Sequence, residues 1–170
     1  MIATEILKKE HQIILSKITG ALERCESDTV IDVPFWEIYV EFLKNYADSY
    51  HHAKEEDIYF KWIIAHDPSM ADGPIACMLQ DHENTRGIVR TMKKMVSDSD
   101  LTIEDWDTLK GLVREYARIL ISHIGKEDNV LYQMAEGIDS RFGDGDQEML
   151  PQFELVEEEL KHIRAKYDPS

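Results

Sequence analysis

Six histidine and glutamate residues interrupt the helical apolar stripes of this 170-residue chain, at positions where a hydrophobic core residue is expected. They are His11, His52, Glu56, His82, His123 and Glu127. Their spacing repeats, because the differences 82 − 11, 123 − 52 and 127 − 56 are all 71. Three apolar pairs share the offset: Ile38 and Leu109, Phe42 and Val113, and Phe60 and Leu131. The pattern predicts two copies of a helical hairpin, each with one histidine on its first helix and His-x-x-x-Glu on its second.

This spacing is suited to metal ligation. A histidine and a glutamate four residues apart lie about 40° apart on one face of an α-helix, so both can reach the same metal centre. In an antiparallel bundle all six residues fall at one level, roughly 12 Å from one end at 1.5 Å per residue. Two carboxylates buried at that level without a cation would be strongly destabilising. The sequence therefore predicts a metal site.

The predicted donor set suits two metal ions better than one. If both glutamates bridge, each ion has four bonds to the protein, and a bridging oxide or hydroxide leaves an open position on each ion. Mixed nitrogen and oxygen ligation with open positions favours iron, followed by manganese and zinc. The prediction is a non-haem di-iron centre with an oxo or hydroxo bridge, for which zinc or manganese is the alternative.

Apolar periodicity predicts helices near residues 4–25, 33–65, 75–96, 103–137 and 150–167. Asp32 and Thr102 are expected to cap the second and fourth helices, residues 66–74 and 97–100 to break the chain, and Gly137 to end the fourth helix. Four long helices with short connections predict an all-α, antiparallel up-down-up-down four-helix bundle over residues 1–137. Residues 138–170 would add a loop and a C-terminal helix to the same domain, packed outside the four helices or against a second chain in a homodimer.

Composition excludes several classes of partner. The chain has 19 Lys and Arg against 34 Asp and Glu, a formal charge of −15, which argues against nucleic acid and anionic membranes. Its two cysteines, Cys25 and Cys77, form neither a disulfide framework nor a cysteine-rich zinc site. Because no leader-like or membrane-length apolar run occurs, the expected compartment is the cytoplasm.

The stretches around the six residues resemble the hemerythrin-like (HHE) cation-binding domains. The matching stretches are residues 9–11, 51–60, 81–83 and 123–132, within a resemblance that spans about residues 5–135. It implies a four-helix bundle around a non-haem di-iron centre with the six residues as ligands. The pattern that resembles oxygen-carrying hemerythrins contains five histidines, with His-x-x-x-His on the third helix. In this chain Arg86 stands four residues after His82, where that pattern has the second of these histidines. The set of four His and two Glu instead resembles the repair-of-iron-centres proteins.

The resemblance implies a protein that binds or processes a small ligand, namely O₂, NO or H₂O₂. Three functions stay open: a binder or sensor of O₂ or NO; an enzyme acting on peroxide or NO or repairing iron-sulfur centres; and an iron or zinc storage or delivery protein without redox turnover. His51 is expected outside the ligand set, because it sits about 100° around the helix from His52 and its partner at the 71-residue offset is Ser122. Arg86 is expected to screen the carboxylates, gate a channel or form a surface ion pair.

Overall fold

The computed structural model describes residues 1–97 and 101–168, and nearly all of them are helical. The helices are α1 (Ile2–Ser27), α2 (residues 33–66), α3 (Ala76–Val96), α4 (residues 103–142), α5 (Gly145–Glu159) and α6 (Lys161–Tyr167). α2 joins Val33–Phe42, Leu43–His52, Glu55–Tyr59 and Phe60–His66, and α4 joins Ile103–Lys126, Glu127–Leu131 and Tyr132–Phe142. No β-strand occurs within the described ranges, so the predicted all-α class is confirmed.

α2 and α4 change their hydrogen-bonding pattern along their length. α2 is π-helical over Leu43–His52 and Glu55–Tyr59, whereas α4 is π-helical only over Glu127–Leu131. A π turn closes i→i+5 hydrogen bonds and therefore holds more residues than an α turn. Residues in and beyond such turns face a different direction from the one that a uniform 3.6-residue period predicts.

The helix starts follow from local sequence. The Asp32 side chain accepts a hydrogen bond from the backbone N–H of Phe35 at 3.3 Å, and Pro34 occupies the first turn of α2. Thr102 and Asp105 form a reciprocal capping box at the start of α4. Between α2 and α3, the predicted break contains a 3₁₀ turn and a kink at Gly73. Of the predicted turn at 97–100, residues 98–100 lie outside the described part of the chain.

The fourth main helix ends later than predicted. Gly137 lies within α4, and the helix continues to Phe142. Gly143 then adopts a left-handed conformation with φ of 74°, which glycine tolerates because it has no side chain. Its backbone N–H donates to the Asp139 carbonyl and so satisfies one of the last carbonyls of the helix. The glycine with positive φ, rather than the first glycine in the sequence, therefore ends α4.

Contacts between α1 and α2 run in opposite directions along the two helices. Thr4 near the start of α1 hydrogen-bonds Tyr59 near the end of α2, with 2.8 Å between their hydroxyl oxygens. Arg24 near the end of α1 lies over the ring of Phe35 near the start of α2, 4.4 Å from its centroid. These two helices are therefore antiparallel, while the predicted up-down-up-down order of all four stays a prediction.

α5 and α6 pack on the outside of the same chain, where a single helix over residues 150–167 was predicted. The break between them lies at Leu160. Phe153 of α5 and Ile163 of α6 are buried against the bundle. The Asp146 carboxylate accepts hydrogen bonds from the first backbone N–H groups of α1, at 2.8 and 2.9 Å, so α5 also caps α1. Within the described residues, no helix is both long enough and apolar enough to cross a membrane.

Candidate metal centre

Seven buried histidine and glutamate side chains lie at one level of the bundle, and we call this set the polar layer. Hydrophobic clusters lie on both sides of it, one containing Trp36 and Leu109 and the other Trp62 and Leu131. Each residue of the polar layer exposes no more than 2% of its surface. The polar layer consists of His11 on α1, His51, His52 and Glu55 on α2, His82 on α3, and His123 and Glu127 on α4.

The polar layer contains two overlapping groups of candidate ligands. Within each group, one ligand atom of every residue lies within 4.8 Å of those of the others. The first group is His52, Glu55, His82 and His123, and the second is His11, His51 and Glu55. Glu127 Oε2 lies 3.3 Å from His11 Nε2 and 3.1 Å from His123 Nε2, so it contacts both groups. Glu55 and Glu127 are the two carboxylates that both groups could share.

The structure brings five of the six predicted ligands into the polar layer, but not Glu56. The Glu56 side chain is 24% exposed, and its Oε1 accepts hydrogen bonds from Arg86 and from His82 Nδ1, each at 2.6 Å. Its neighbour Glu55 is fully buried and occupies the place predicted for Glu56. His51, expected outside the ligand set, also belongs to the polar layer. Of the expectations for Arg86, an ion pair near the surface is the one that the structure contains, because Arg86 pairs with the partly exposed Glu56 and Asp48.

The π turns of α2 explain why Glu55 rather than Glu56 faces inward. Buried residues of α2 recur every four positions, at Leu43, Ala47, His51, Glu55, Tyr59 and Ile63. Four residues advance an α-helix by about 400°, so this stripe would drift by about 40° per step around a regular helix. The wider π turns reduce the drift and keep the stripe facing the core. A uniform 3.6-residue period instead predicts that the neighbouring pair, His52 and Glu56, lies on the buried face of the helix.

The two hairpins correspond at an offset of 72 along α2 and α4, and of 71 along α1 and α3. The matched pairs are His51 with His123, Lys54 with Lys126, Glu55 with Glu127, Glu10 with Asp81, and His11 with His82. The sequence does carry this signal, because His-x-x-Lys-Glu occurs at residues 51–55 and again at 123–127. At this offset His52 corresponds to Ile124, so His52 is an imidazole that only one hairpin has.

Every imidazole of the polar layer turns its Nδ1 atom toward a carboxylate. The Nδ1 contacts are His11 to Asp128 at 2.8 Å, His51 to Glu10 at 2.9 Å, His82 to Glu56 at 2.6 Å, His52 to Asp48 at 3.5 Å and His123 to Asp81 at 3.5 Å. The three shortest are hydrogen bonds, and because a carboxylate only accepts, they place the proton on Nδ1. Nε2 of these rings is then free to donate a lone pair. Such carboxylate–histidine pairs orient imidazoles that bind metals.

The inner atoms of the polar layer lack the partners that buried polar atoms normally have. His82 Nε2 lies 2.9 Å from His123 Nε2, a distance that requires a proton or a cation between the two lone pairs. His11 Nε2, Glu55 Oε2 and both carboxylate oxygens of Glu127 have no hydrogen-bond partner among the described residues. Unpaired buried carboxylates are strongly destabilising, and bound cations would pair with all of these atoms. The residues present therefore fit a metal site.

The two buried carboxylates differ in their electrostatic surroundings. Burial and the charge of Glu127 raise the pKa of Glu55 well above its ordinary value, although Tyr132 donates a hydrogen bond to this carboxylate. Burial also acts to raise the pKa of Glu127, but the interactions with His123 and His11 outweigh it and hold that pKa well below its ordinary value. Cations between the two carboxylates would favour the ionised form of both.

Most imidazoles of the polar layer are held neutral, as metal ligation requires. Burial lowers the pKa of His51 to about 3 and the pKa of His52 well below its ordinary value, and it also lowers the pKa of His82. Burial acts in the same direction on His11, but the hydrogen bond to Asp128 and the nearby charge of Glu127 outweigh it and raise the pKa of His11 to about 10. A cation at His11 would replace the proton that these acidic neighbours stabilise.

A buried charged pair lies behind His51. The Lys54 side chain has no exposed surface, and its ammonium contacts the Glu10 carboxylate and lies 3.3 Å from Glu157 Oε1 on α5. The same ammonium lies 3.9 Å from the centroid of the Tyr50 ring. Because Glu10 also accepts the hydrogen bond from His51, this pair fixes the orientation of the His51 ring.

Comparison with known proteins agrees with this geometry. No curated protein and no solved structure matches the chain. The family model of the hemerythrin HHE cation-binding domain matches residues 2–135, a range that contains the whole polar layer. The chain therefore belongs to the hemerythrin HHE cation-binding domain family, and the buried His and Glu groups of the polar layer are side chains that could hold the cation.

Proposed function

We propose that the protein holds two iron ions in the polar layer and binds or processes a small ligand, O₂, NO or H₂O₂. One ion would be held by His52, His82 and His123, and the other by His11 and His51. Glu55 and Glu127 would be shared between the ions. The observation that carries the proposal is the convergence of five imidazoles, each with Nδ1 turned to a carboxylate, on two buried carboxylates without sufficient partners.

The donor chemistry favours iron over other cations. The polar layer offers imidazole nitrogen and carboxylate oxygen, with no thiolate, a mixed set typical of non-haem iron in helical bundles. Zinc and manganese accept the same donors and are the alternatives. When bound, a pair of adjacent iron ions supplies one-electron redox chemistry and coordination positions for a small ligand.

The imidazoles are divided unequally between the two groups of candidate ligands. This division supports binding of the small ligand at one ion in particular. Three imidazoles lie around the first group and two around the second, so the ion near His11 and His51 has fewer protein donors. The fully buried rings of Tyr59 and Tyr132 lie on that side, and the His11 and Tyr132 rings stack with centroids 5.7 Å apart. These rings exclude bulk water, which favours small uncharged ligands over hydrated ions. Storage of many ions is disfavoured, because seven ligands serve two ions.

The proposal is tested by elemental analysis of the purified protein together with its absorption spectrum before and after exposure to each ligand. We expect about two irons per chain and a visible band that changes reversibly with O₂ or NO. Sustained turnover of H₂O₂ above the rate of free iron would assign the protein to the enzymes. A chain that holds zinc alone, or a spectrum that responds to none of the three ligands, would contradict the proposal.

A further inference from the structure

A cavity of about 290 Å³ opens between α2 and α3 beside the polar layer. Leu43, Val89 and Tyr116 form its apolar part, and His52 is the residue of the polar layer that lines it. The volume corresponds to roughly ten water molecules at about 30 Å³ each, so it can hold a small molecule of several non-hydrogen atoms. The cavity therefore brings such a molecule next to a candidate metal ligand.

The charge around the cavity is opposite to that of the whole protein. The chain carries −15, yet four basic side chains and one acidic side chain line this cavity: Lys44, Arg86, Arg90, Lys93 and Asp48. Arg90 pairs with Glu83, and Arg86 donates to Asp48 at 2.7 Å and to Glu56 at 2.6 Å. The ammonium groups of Lys44 and Lys93 form no ion pair among residues 1–97 and 101–168. Like charges held around a cleft concentrate ions of the opposite sign.

The matching face of the other hairpin lacks the basic side chains. At the 71-residue offset, four of the five residues of α3 along this cavity correspond to apolar residues of α1, and the fifth, Arg90, corresponds to Thr19. The pairs are Thr85 with Ile14, Arg86 with Leu15, Val89 with Ile18, and Lys93 with Leu22. Ile124 stands at the position that corresponds to His52. The basic cavity is therefore a property of one half of the molecule and does not follow from the repeat that builds the polar layer.

We propose that this cavity binds a small oxyanion, such as a carboxylate or phosphate, between the ammonium groups of Lys44 and Lys93 and beside Arg86 and His52. The ammonium groups of Lys44 and Lys93 provide the charge, and Arg86, which already donates from Nε to Asp48 and from Nη2 to Glu56, offers its remaining N–H donors. Leu43 and Val89 accommodate a short apolar part of the anion. This site is distinct from the metal positions, because every side chain that lines the cavity except His52 lies outside the polar layer.

Isothermal titration calorimetry of the purified, metal-containing protein tests the site directly. Acetate and inorganic phosphate serve as the two oxyanion probes, and acetamide serves as the uncharged probe of similar shape. We expect saturable heats for at least one oxyanion, none for acetamide, and weaker binding as ionic strength rises. Acetate alone would identify a carboxylate site, and phosphate alone would identify a phosphate site.

Lysine variants locate the bound anion. Lys44→Gln and Lys93→Gln should each weaken binding about five- to tenfold, because each removes one charge near the anion. Lys94→Gln is the matched control, since it removes the same charge from the adjacent position of α3 without lining the cavity. Binding that is unchanged in both cavity variants, or no oxyanion binding at all, would overturn the proposal. Elemental analysis of the same samples reports on the metal site separately, so either idea can fail alone.

Discussion

α2 and α4 carry the same His-x-x-Lys-Glu residues in helical turns of different geometry. In α4, His123 lies in a regular α-helical stretch, and the π segment begins only at Glu127. In α2, π turns surround His51 and Glu55, and buried residues recur every four positions. α2 supplies two neighbouring imidazoles to the polar layer where α4 supplies one, because the α4 residue that corresponds to His52 is the equally buried Ile124.

The comparison shows that matched positions of the two helices are buried although their helical geometry differs, so the residue at each position decides how many ligands a helix supplies. π segments often occur at functional sites because they redirect side chains that a regular helix would turn away. The two helices also differ outside the polar layer. Lys54 is fully buried with Glu10, whereas the equivalent Lys126 is 41% exposed and pairs with Asp81 at 2.7 Å. The hairpins are thus similar in their ligands and unlike in the residues that support them.

The largest expected effect concerns the two adjacent glutamates of α2. Glu55→Gln should remove at least one of the two proposed cations, because it takes away a buried carboxylate that contacts both ligand groups. Glu56→Gln should retain both cations and weaken their binding about 10- to 100-fold, as expected for a residue that orients a ligand. Elemental analysis after dialysis measures the retained metal.

Glu127→Gln is the matched control, because Glu127 occupies in α4 the position of Glu55 in α2. It should lose metal as Glu55→Gln does. The comparison between the helices would be contradicted if Glu56→Gln lost its cations while Glu55→Gln kept them.

Much of the polar layer could be predicted from the sequence where the helices are regular. α1 and α3 are α-helical around His11 and His82, and the offset of 71 between those two residues is the one the structure has. His123 and Glu127 also follow the apolar period of α4. The inward-facing residues of α2 could not be predicted by the same means, because a uniform period contains no information about π turns.

α2 contains two adjacent His-x-x-x-Glu pairs, so the prediction of which pair binds metal depended on the offset between the hairpins alone. His51 with Glu55 and His52 with Glu56 differ by one residue, and the offset of 71 selected the second pair. The shared lysine before each inner glutamate was the signal that distinguishes them. The helix ends show a similar limit, because the sequence does not state which glycine adopts a positive φ, and this proved to be Gly143.

A second prediction compares the two lysines. Lys54→Met should lower the free energy of unfolding by about 3–5 kcal/mol, because it leaves the Glu10 carboxylate buried without its cation. Lys126→Met should lower it by less than about 1 kcal/mol, since solvent screens a half-exposed pair. Urea denaturation of the metal-containing proteins measures both.

The double variant Glu10→Gln with Lys54→Met serves as the control for the buried pair. It should be more stable than Lys54→Met alone, because no uncompensated charge stays buried. Equal losses for the two single lysine variants would show that their different burial has no energetic consequence.

A third prediction concerns a variant in which α2 carries the same residue as α4 at the position of His52, where the two helices differ. His52→Ile places in α2 the residue that α4 has at Ile124, and its apolar side chain suits a site that is 2% exposed. We expect both cations to bind, with one of them at least about tenfold weaker because its group loses one of three imidazoles. Competition with a chelator of known affinity measures the change. Unchanged affinity for both cations would exclude His52 as a ligand.

The smallest expected effect lies at the end of α2, where His66 corresponds to the buried Ile138 of α4. His66 Nδ1 donates to the Trp62 carbonyl at 2.9 Å, and Nε2 donates to the Asp144 carboxylate at 3.2 Å. The carbonyl of Trp62 and, after it, Asp144 and Glu148 raise the pKa of His66 above its ordinary value of 6.5, although burial opposes the shift. A raised pKa in the folded state means that protonated His66 stabilises the protein below the unfolded-state pKa. That contribution is lost as the pH rises through the folded-state pKa.

His66→Gln should therefore lower Tm by about 1–2 °C near pH 5.5 and leave it unchanged near pH 9, since a mostly solvent-screened pair contributes little. Asp144→Asn is the matched control, because it removes an acceptor that faces His66 and should show the same pH dependence. Thermal unfolding monitored by circular dichroism across this pH range measures both variants. A Tm difference that is constant with pH would mean that His66 acts through its ring contacts with Trp62 and Phe142, whose centroids each lie 4.7 Å away, and not through its charge.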